Sequence, residues 1–196
     1  MAPPPKGDLT GVPVNPAGRA AANAWDPAKP DDPCKAFGVA GLMRLPTRVH
    51  ITWVDDETLK LETDAGAQTR ILRFKPTPAT QNEGAGDWQG VSVASWDRSI
   101  PVMGPGRGGA PPGASLKVVT TKMKAGYLRK NGVPYSENTV VTEYIDRLEH
   151  PNGDSLLVFE TEVVDPTNLA TPFWTSSHFK RQKDAAGWNP TPCAAR

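Results

Sequence analysis

Neither sign of charge prevails in this 196-residue chain: 22 Lys and Arg stand against 21 Asp and Glu, for a formal net charge of +1. Without a basic surplus there is no global field to gather nucleic acid or an anionic membrane surface, and neither is expected as a partner. Long apolar runs are missing too, and no stretch approaches the roughly 20 residues that a membrane-spanning helix needs. Histidine is scarce. His50, His150 and His178 show no ligand spacing, which argues against a metal centre. The glycine-rich run Gly104–Gly109 is not followed by Lys-Ser or Lys-Thr and opens no helical pattern, so it is not a phosphate loop. Ser92, Ser95 and Ser176 lack the Gly-x-Ser-x-Gly frame of a serine nucleophile. No convincing long amphipathic helix is present.

Cysteine is limited to Cys34 and Cys193, near opposite ends of the chain. A disulfide between them would close a very long loop and place the protein in an oxidising compartment; two free thiols in a cytoplasmic protein are the alternative. The first six residues lack the apolar core of a signal peptide. A methionine followed by a proline-rich spacer reads as a mature periplasmic or secreted protein whose export signal precedes this numbering. The 18 Gly and 21 Pro fall in the N-terminal segment and in loops, not in a repeat.

What is present is a series of short alternating segments. In Arg48–Val54, Val49, Ile51 and Trp53 share one phase and Arg48, His50 and Thr52 the other, as a half-buried strand requires. Strands are expected at 47–54, 57–63, 68–74, 88–96, 115–123, 138–148, 155–164 and 173–180. Asp55-Asp56, Asp64-Ala65-Gly66 and Asn152-Gly153-Asp154 supply turns between them. Residues 97–114 are too rich in Gly and Pro to pair. Residues 19–25 are the best helical candidate, ended by Asp26-Pro27, and 34–45 reads as a loop that plugs one end. The expectation is a mobile tail over residues 1–7 and a single domain over 8–196. That domain is all-β, an antiparallel up-and-down β-barrel of about eight strands with a short N-terminal helix.

The polar segment richest in chemistry is 138–148. If Val141, Glu143 and Ile145 face inward, a carboxylate enters an apolar interior and suits proton transfer. If Val140, Tyr144 and Leu148 face inward, Tyr144 is the polar group and Glu143 meets solvent. Arg48 and His50 share a face and are either the wet side of a hairpin or an anion anchor at a pocket mouth. Tyr127, Arg129 and Tyr135 lie on a longer excursion between strands that reads as a decorated hairpin or a lid. Trp53, Trp174 and His178 complete the set of substrate-binding candidates, and Trp53, Trp88, Trp96 and Trp174 serve either as core or as walls for an apolar guest.

Asp8-Leu9-Thr10-Gly11-Val12, the Cys34–Met43 segment, Asp87–Trp96 and the close Trp188–Cys193 together resemble a family of exported, largely uncharacterised bacterial β-barrel proteins. That family begins with Asp-(Leu/Phe)-(Ser/Thr)-Gly-Val-Trp, and Pro13 stands here in place of its tryptophan. More distantly, the eight-strand meander is similar to the calycins: lipocalins, phenolic acid decarboxylases and allene oxide cyclases. This similarity implies cavity chemistry without metal or organic cofactor. The function expected is a cofactor-independent lyase or isomerase, of decarboxylase or proton-transfer type, acting on a small hydrophobic or aromatic molecule. Glu143 would be its acid/base, Tyr144 or Tyr135 its hydrogen-bond donor, and Arg48 or Arg129 its anion anchor. The alternatives are a non-catalytic carrier or sensor of hydrophobic small molecules and a structural module of the cell envelope, which a barrel filled with side chains would favour. A homodimer is left open.

Overall fold

The computed structural model describes residues 4–29, 31–97 and 115–194. The long Gly/Pro loop expected at 97–114 therefore lies, from residue 98 onward, outside the described residues, as do residues 1–3 of the expected tail. Helix α1 runs from Pro16 to Ala24. It begins three residues earlier than the sequence suggests because Asn15 caps it, its side chain accepting from the Gly18 amide, and Pro16 supplies a first turn that needs no donor. A 3₁₀ turn at Pro33–Phe37 and a short helix α2 at Val39–Leu42 occupy the region read as a plug.

Eight long strands follow, at positions close to those expected. They are β1 (Val49–Asp55), β2 (Thr58–Thr63), β3 (Thr69–Arg73), β4 (Val91–Asp97), β5 (Ser115–Thr121), β8 (Val140–Glu149), β9 (Ser155–Val164) and β10 (Phe173–Lys180). Two short strands, β6 (Gly126–Tyr127) and β7 (Pro134–Tyr135), form the excursion between β5 and β8 as a small hairpin of their own. The eight pair in the order β1-β2-β3-β4-β5-β8-β9-β10. The sheet curls into a half-barrel, an all-β, barrel-like fold.

Two departures from a closed meander matter for function. First, β3 and β4 are parallel, with Leu72 opposite Ser92 and Arg73 opposite Val93. The connection from Phe74 to Gly90 must therefore run back along the sheet before β4 can start. It lies over the outer face of β3 and is pinned there by the Arg73–Glu83 ion pair. Second, among the described residues no hydrogen-bonded ladder joins β1 to β10, so the barrel stays open along that seam.

Register fixes which side chains face the trough, since directly opposed residues share a face. Val49, Ile51 and Trp53 of β1 oppose Thr63, Leu61 and Leu59 of β2; Leu72, Ala94, Val118, Glu143, Ile145 and Phe159 carry the same face across the sheet. The trough is filled. Phe37, Leu42 and Met43 from the 3₁₀ turn and α2 pack into one cluster with Leu59, Leu61, Leu72, Ala94, Val118 and Phe159. A second cluster joins Val39 and Ala40 to Tyr135, Val141, Val163 and Phe173. The plug comes so close that a Cβ on Gly66 would lie 2.3 Å from the Phe37 ring; Gly66 also has φ +78°, so both space and backbone demand glycine there.

The disulfide is formed: Cys34 and Cys193 are bonded with Cα atoms 5.1 Å apart. No helix among the described residues is long and apolar enough to cross a membrane.

Candidate functional site

Glu143 sits on the inward phase of β8 with Val141 and Ile145, and its side chain is 0 % exposed. It does not stand free. Arg70, from the inward phase of β3 and 1 % exposed, grips both oxygens: Nη1 donates to Oε1 at 3.0 Å and Nη2 donates to Oε2. The same Nη2 donates to the Thr120 hydroxyl at 3.4 Å, and Thr120 shares a hydrogen bond of 2.8 Å with Ser92. Nε of Arg70 has no partner. The pair joins strands separated by three inter-strand spacings, about 14 Å measured along the sheet. Only the curl brings the two side chains within reach, so the ion pair is a chord across the trough.

Tyr144 occupies the opposite phase of β8, where its ring lies 5.6 Å from the Lys117 ammonium. Tyr135 is buried, 1 % exposed, in the second cluster; burial pushes its hydroxyl well above the ordinary phenol range and the oxygen has no hydrogen-bond partner. It fits into a notch left by two glycines: a Cβ on Gly38 or Gly126 would lie 1.9 Å or 2.7 Å from that oxygen. Since the hydroxyl gains nothing in place, Tyr135→Phe is expected to leave stability unchanged or raise it by up to about 1 kcal/mol, measured as the shift in denaturation midpoint.

Tyr127 donates to Asp31 at 2.6 Å, and burial together with that carboxylate raises its pKa. Arg129, on the β6–β7 connection, acts electrostatically on Asp8 and on Arg44. Arg44 is held down to about 10, first by burial and then by Arg129. Arg48 pairs with Asp64 at 3.3 Å, and His50 faces Glu62 at 3.3 Å on the outer face of β1, with Trp188 edge-on to its ring at 5.8 Å. Trp174 and His178 point outward from β10, opposite Glu162 and Val158. Glu143, Trp53 and Tyr135 are thus on the inner side, while His50, Tyr144, Trp174 and His178 are on the outer side.

A different constellation gathers at the end of the trough where β1, β3 and β4 finish. Trp53 and Phe74 stack with centroids 5.6 Å apart and planes at 26°, and Phe74 meets Trp96 at 5.5 Å and 33°. Trp53 opposes Leu59, and Trp96 opposes Leu116, so both indoles belong to the trough's own face. Yet they are 53 % and 50 % exposed. The three rings form a continuous row along the mouth, with Leu59 and Leu116 beside the two indoles across their strand pairs and Phe74 packed against the main cluster. The sequence marked Trp53 as a binding candidate and Trp96 as a core or wall residue, but not Phe74; the signal available for Phe74 was phase, since it follows Arg70 and Leu72 at steps of two. Phase also marks Arg70, two residues before Leu72.

Two hollows are present elsewhere, of about 370 Å³ beside β3 and about 70 Å³ near Trp25. Neither is lined by Arg70 or Glu143. Fold and site together define an all-β half-barrel with a plugged trough and an aromatic mouth. Comparison with known protein families, curated proteins and solved structures finds no match.

Proposed function

We propose that this protein binds a small hydrophobic or aromatic molecule at the mouth of its half-barrel and acts as a carrier or sensor. The observation that carries this reading is the row Trp53, Phe74 and Trp96, in which Phe74 stacks on one indole, tilts against the other and packs on the main cluster, while both indoles stay about half exposed. Two half-exposed indoles joined by Phe74 into one contiguous aromatic surface suit a flat ring, which would meet the offset stacking that aromatic faces prefer. Support for binding over proton transfer comes from Glu143, which is fully buried with both oxygens engaged by Arg70. A lyase or isomerase would need that carboxylate within hydrogen-bond reach of a substrate proton. Export to a periplasmic or extracellular site, and kinship with exported barrel proteins and calycins, belong to the same proposal. The disulfide supports the oxidising compartment.

Titration with 2-naphthol, followed by quenching of tryptophan fluorescence and by calorimetry, tests it. Saturable one-to-one binding is expected, weakened at least about tenfold in Trp96→Ala and in Trp53→Ala, since each stacked ring contributes about 0.5–1.5 kcal/mol beyond its buried area. Unchanged affinity in both variants, with wild-type melting curves, would overturn the proposal.

A further inference from the structure

The parallel pairing of β3 and β4 leaves a hollow on the opposite side of the sheet. Because the 74–90 connection has to travel back over the outer face of β3, it leaves a hollow of about 370 Å³ between itself and the strand. Gln68, Thr69 and Ile71 form the strand wall; Glu83, Asp87 and Trp88 stand on the connection. The size lies within the usual range of small-ligand pockets, about 300–1,000 Å³.

Besides the Arg73–Glu83 ion pair, the hollow is held open by backbone ties and by one buried side chain, Gln89. Gly86 N donates to Lys122 O at 2.8 Å and Lys124 N donates to Asp87 O at 2.9 Å, tying the connection to the chain just after β5. Gly90 closes the loop at φ +58°, where a Cβ would lie 2.5 Å from Thr121 O. Val39 N donates to Trp88 O at 3.2 Å, and Gln89 Nε2 bridges Phe37 O at 2.7 Å and Gln68 Oε1 at 2.9 Å. A ligand would therefore meet a preformed wall and would not have to order it.

We propose that this hollow binds a monosaccharide-sized polyhydroxylated ligand. Its chemistry selects that class by exclusion and by fit. No lysine or arginine lines it, while Glu83 and Asp87 do, so an anion finds no cationic partner on its wall. Its apolar surface is limited to Trp88 and Ile71, too little for a hydrocarbon. The Glu83 carboxylate is already taken by Arg73, but the carboxylate of Asp87 and the hydroxyl of Thr69 have no protein partner among the described residues. A free carboxylate accepts two neighbouring hydroxyls at once, and an indole packs against the C–H face of a sugar ring. Lys124 Nζ lies 4.5 Å from the Trp88 ring centroid and steadies the indole by a cation–π contact.

Saturation-transfer NMR with glucose and with glucosamine, each at millimolar concentration, tests the proposal on the whole chain. Transfer to the ring C–H protons is expected for both, stronger for glucosamine, whose ammonium meets Asp87. Asp87→Asn should weaken glucosamine binding at least about tenfold, the equivalent of one charge-assisted hydrogen bond. Thr69→Val should weaken both sugars. Both positions are exposed, so melting curves should match the wild type, and Trp96→Ala should leave sugar binding intact because the mouth lies on the other face. No transfer to either sugar, or transfer unchanged in both Asp87→Asn and Thr69→Val, would overturn the proposal.

Discussion

Glu143→Gln is expected to destabilise the protein by about 3–5 kcal/mol, a large share of the roughly 5–15 kcal/mol that holds a typical domain folded. The glutamine keeps the shape of the carboxylate but not its charge. Arg70 would remain in the trough with side-chain exposure of 1 %, an unpartnered Nε and only neutral acceptors at Thr120 and at the new amide. The cost is that of an uncompensated buried cation, so it should be as severe in Glu143→Gln as in Arg70→Met, which strands the anion instead. The double variant Arg70→Met with Glu143→Leu removes both charges and replaces them by side chains that suit the surrounding cluster. It should lie within about 1–2 kcal/mol of wild type. Urea denaturation at constant ionic strength measures all three. A Glu143→Gln midpoint equal to wild type would show that the charge pairing across the trough contributes little to stability.

This contrast also separates the two roles open to Glu143. A proton-transfer residue is usually a liability to stability, and replacing it by its neutral isostere costs the fold little. A brace behaves in the opposite way.

The strands were legible because runs of β-branched, aromatic and alternating residues bounded by turn signals are local properties, clearest in Arg48–Val54, that survive any arrangement of their neighbours. The helix was shifted because its start depends on Asn15 and Pro16, cap signals that lie outside the alanine-rich run. Which phase of β8 faces inward was not readable from β8. Val140 and Val141 place an apolar residue in each phase, and so do Tyr144 and Ile145; the choice is made by Leu116 and Val118 on β5, which oppose Ile145 and Glu143. The same holds for Arg70, whose inward position only acquires meaning when Glu143 is known to face it. The parallel β3–β4 pair was unreadable for another reason. A return connection and a wide hairpin loop have the same composition of Gly, Pro, Thr and Asn, and direction is decided by Arg73 with Glu83 and by the backbone ties to Lys122 and Lys124. The aromatic mouth was half legible: tryptophans announce themselves, but stacking between residues 53, 74 and 96 exists only after the sheet has curled.

The second large effect is expected from the disulfide. After Lys180 the chain leaves the edge strand β10 and crosses to the other edge of the open sheet. There Trp188 meets the His50 ring, a Cβ on Gly187 would lie 2.8 Å from Arg48 Nε, and Thr191 N donates to Asp64 O at 2.9 Å. Thr191 forms a parallel bridge with Ala65, and Cys193 packs against the main cluster and bonds to Cys34. This segment spans the seam that no ladder closes. Residues 181–187 are all exposed, with little apolar burial to hold them, so the covalent bond supplies what packing does not. Cys34 and Cys193 are 159 residues apart, and the chain-entropy model gives about 5 kcal/mol for a loop of that length. The Cys34→Ala with Cys193→Ala variant is therefore expected to lose about 2–5 kcal/mol, read from urea denaturation under matched conditions. Hydrogen exchange adds a spatial test: amides of β1 and of 188–193 should exchange faster, while the β8–β9 ladder, in the middle of the sheet, should respond only through the global loss. Equal slowing or quickening at every site would mean that the bond acts on the unfolded chain alone, whereas selective loss at β1 would show that it also closes the seam.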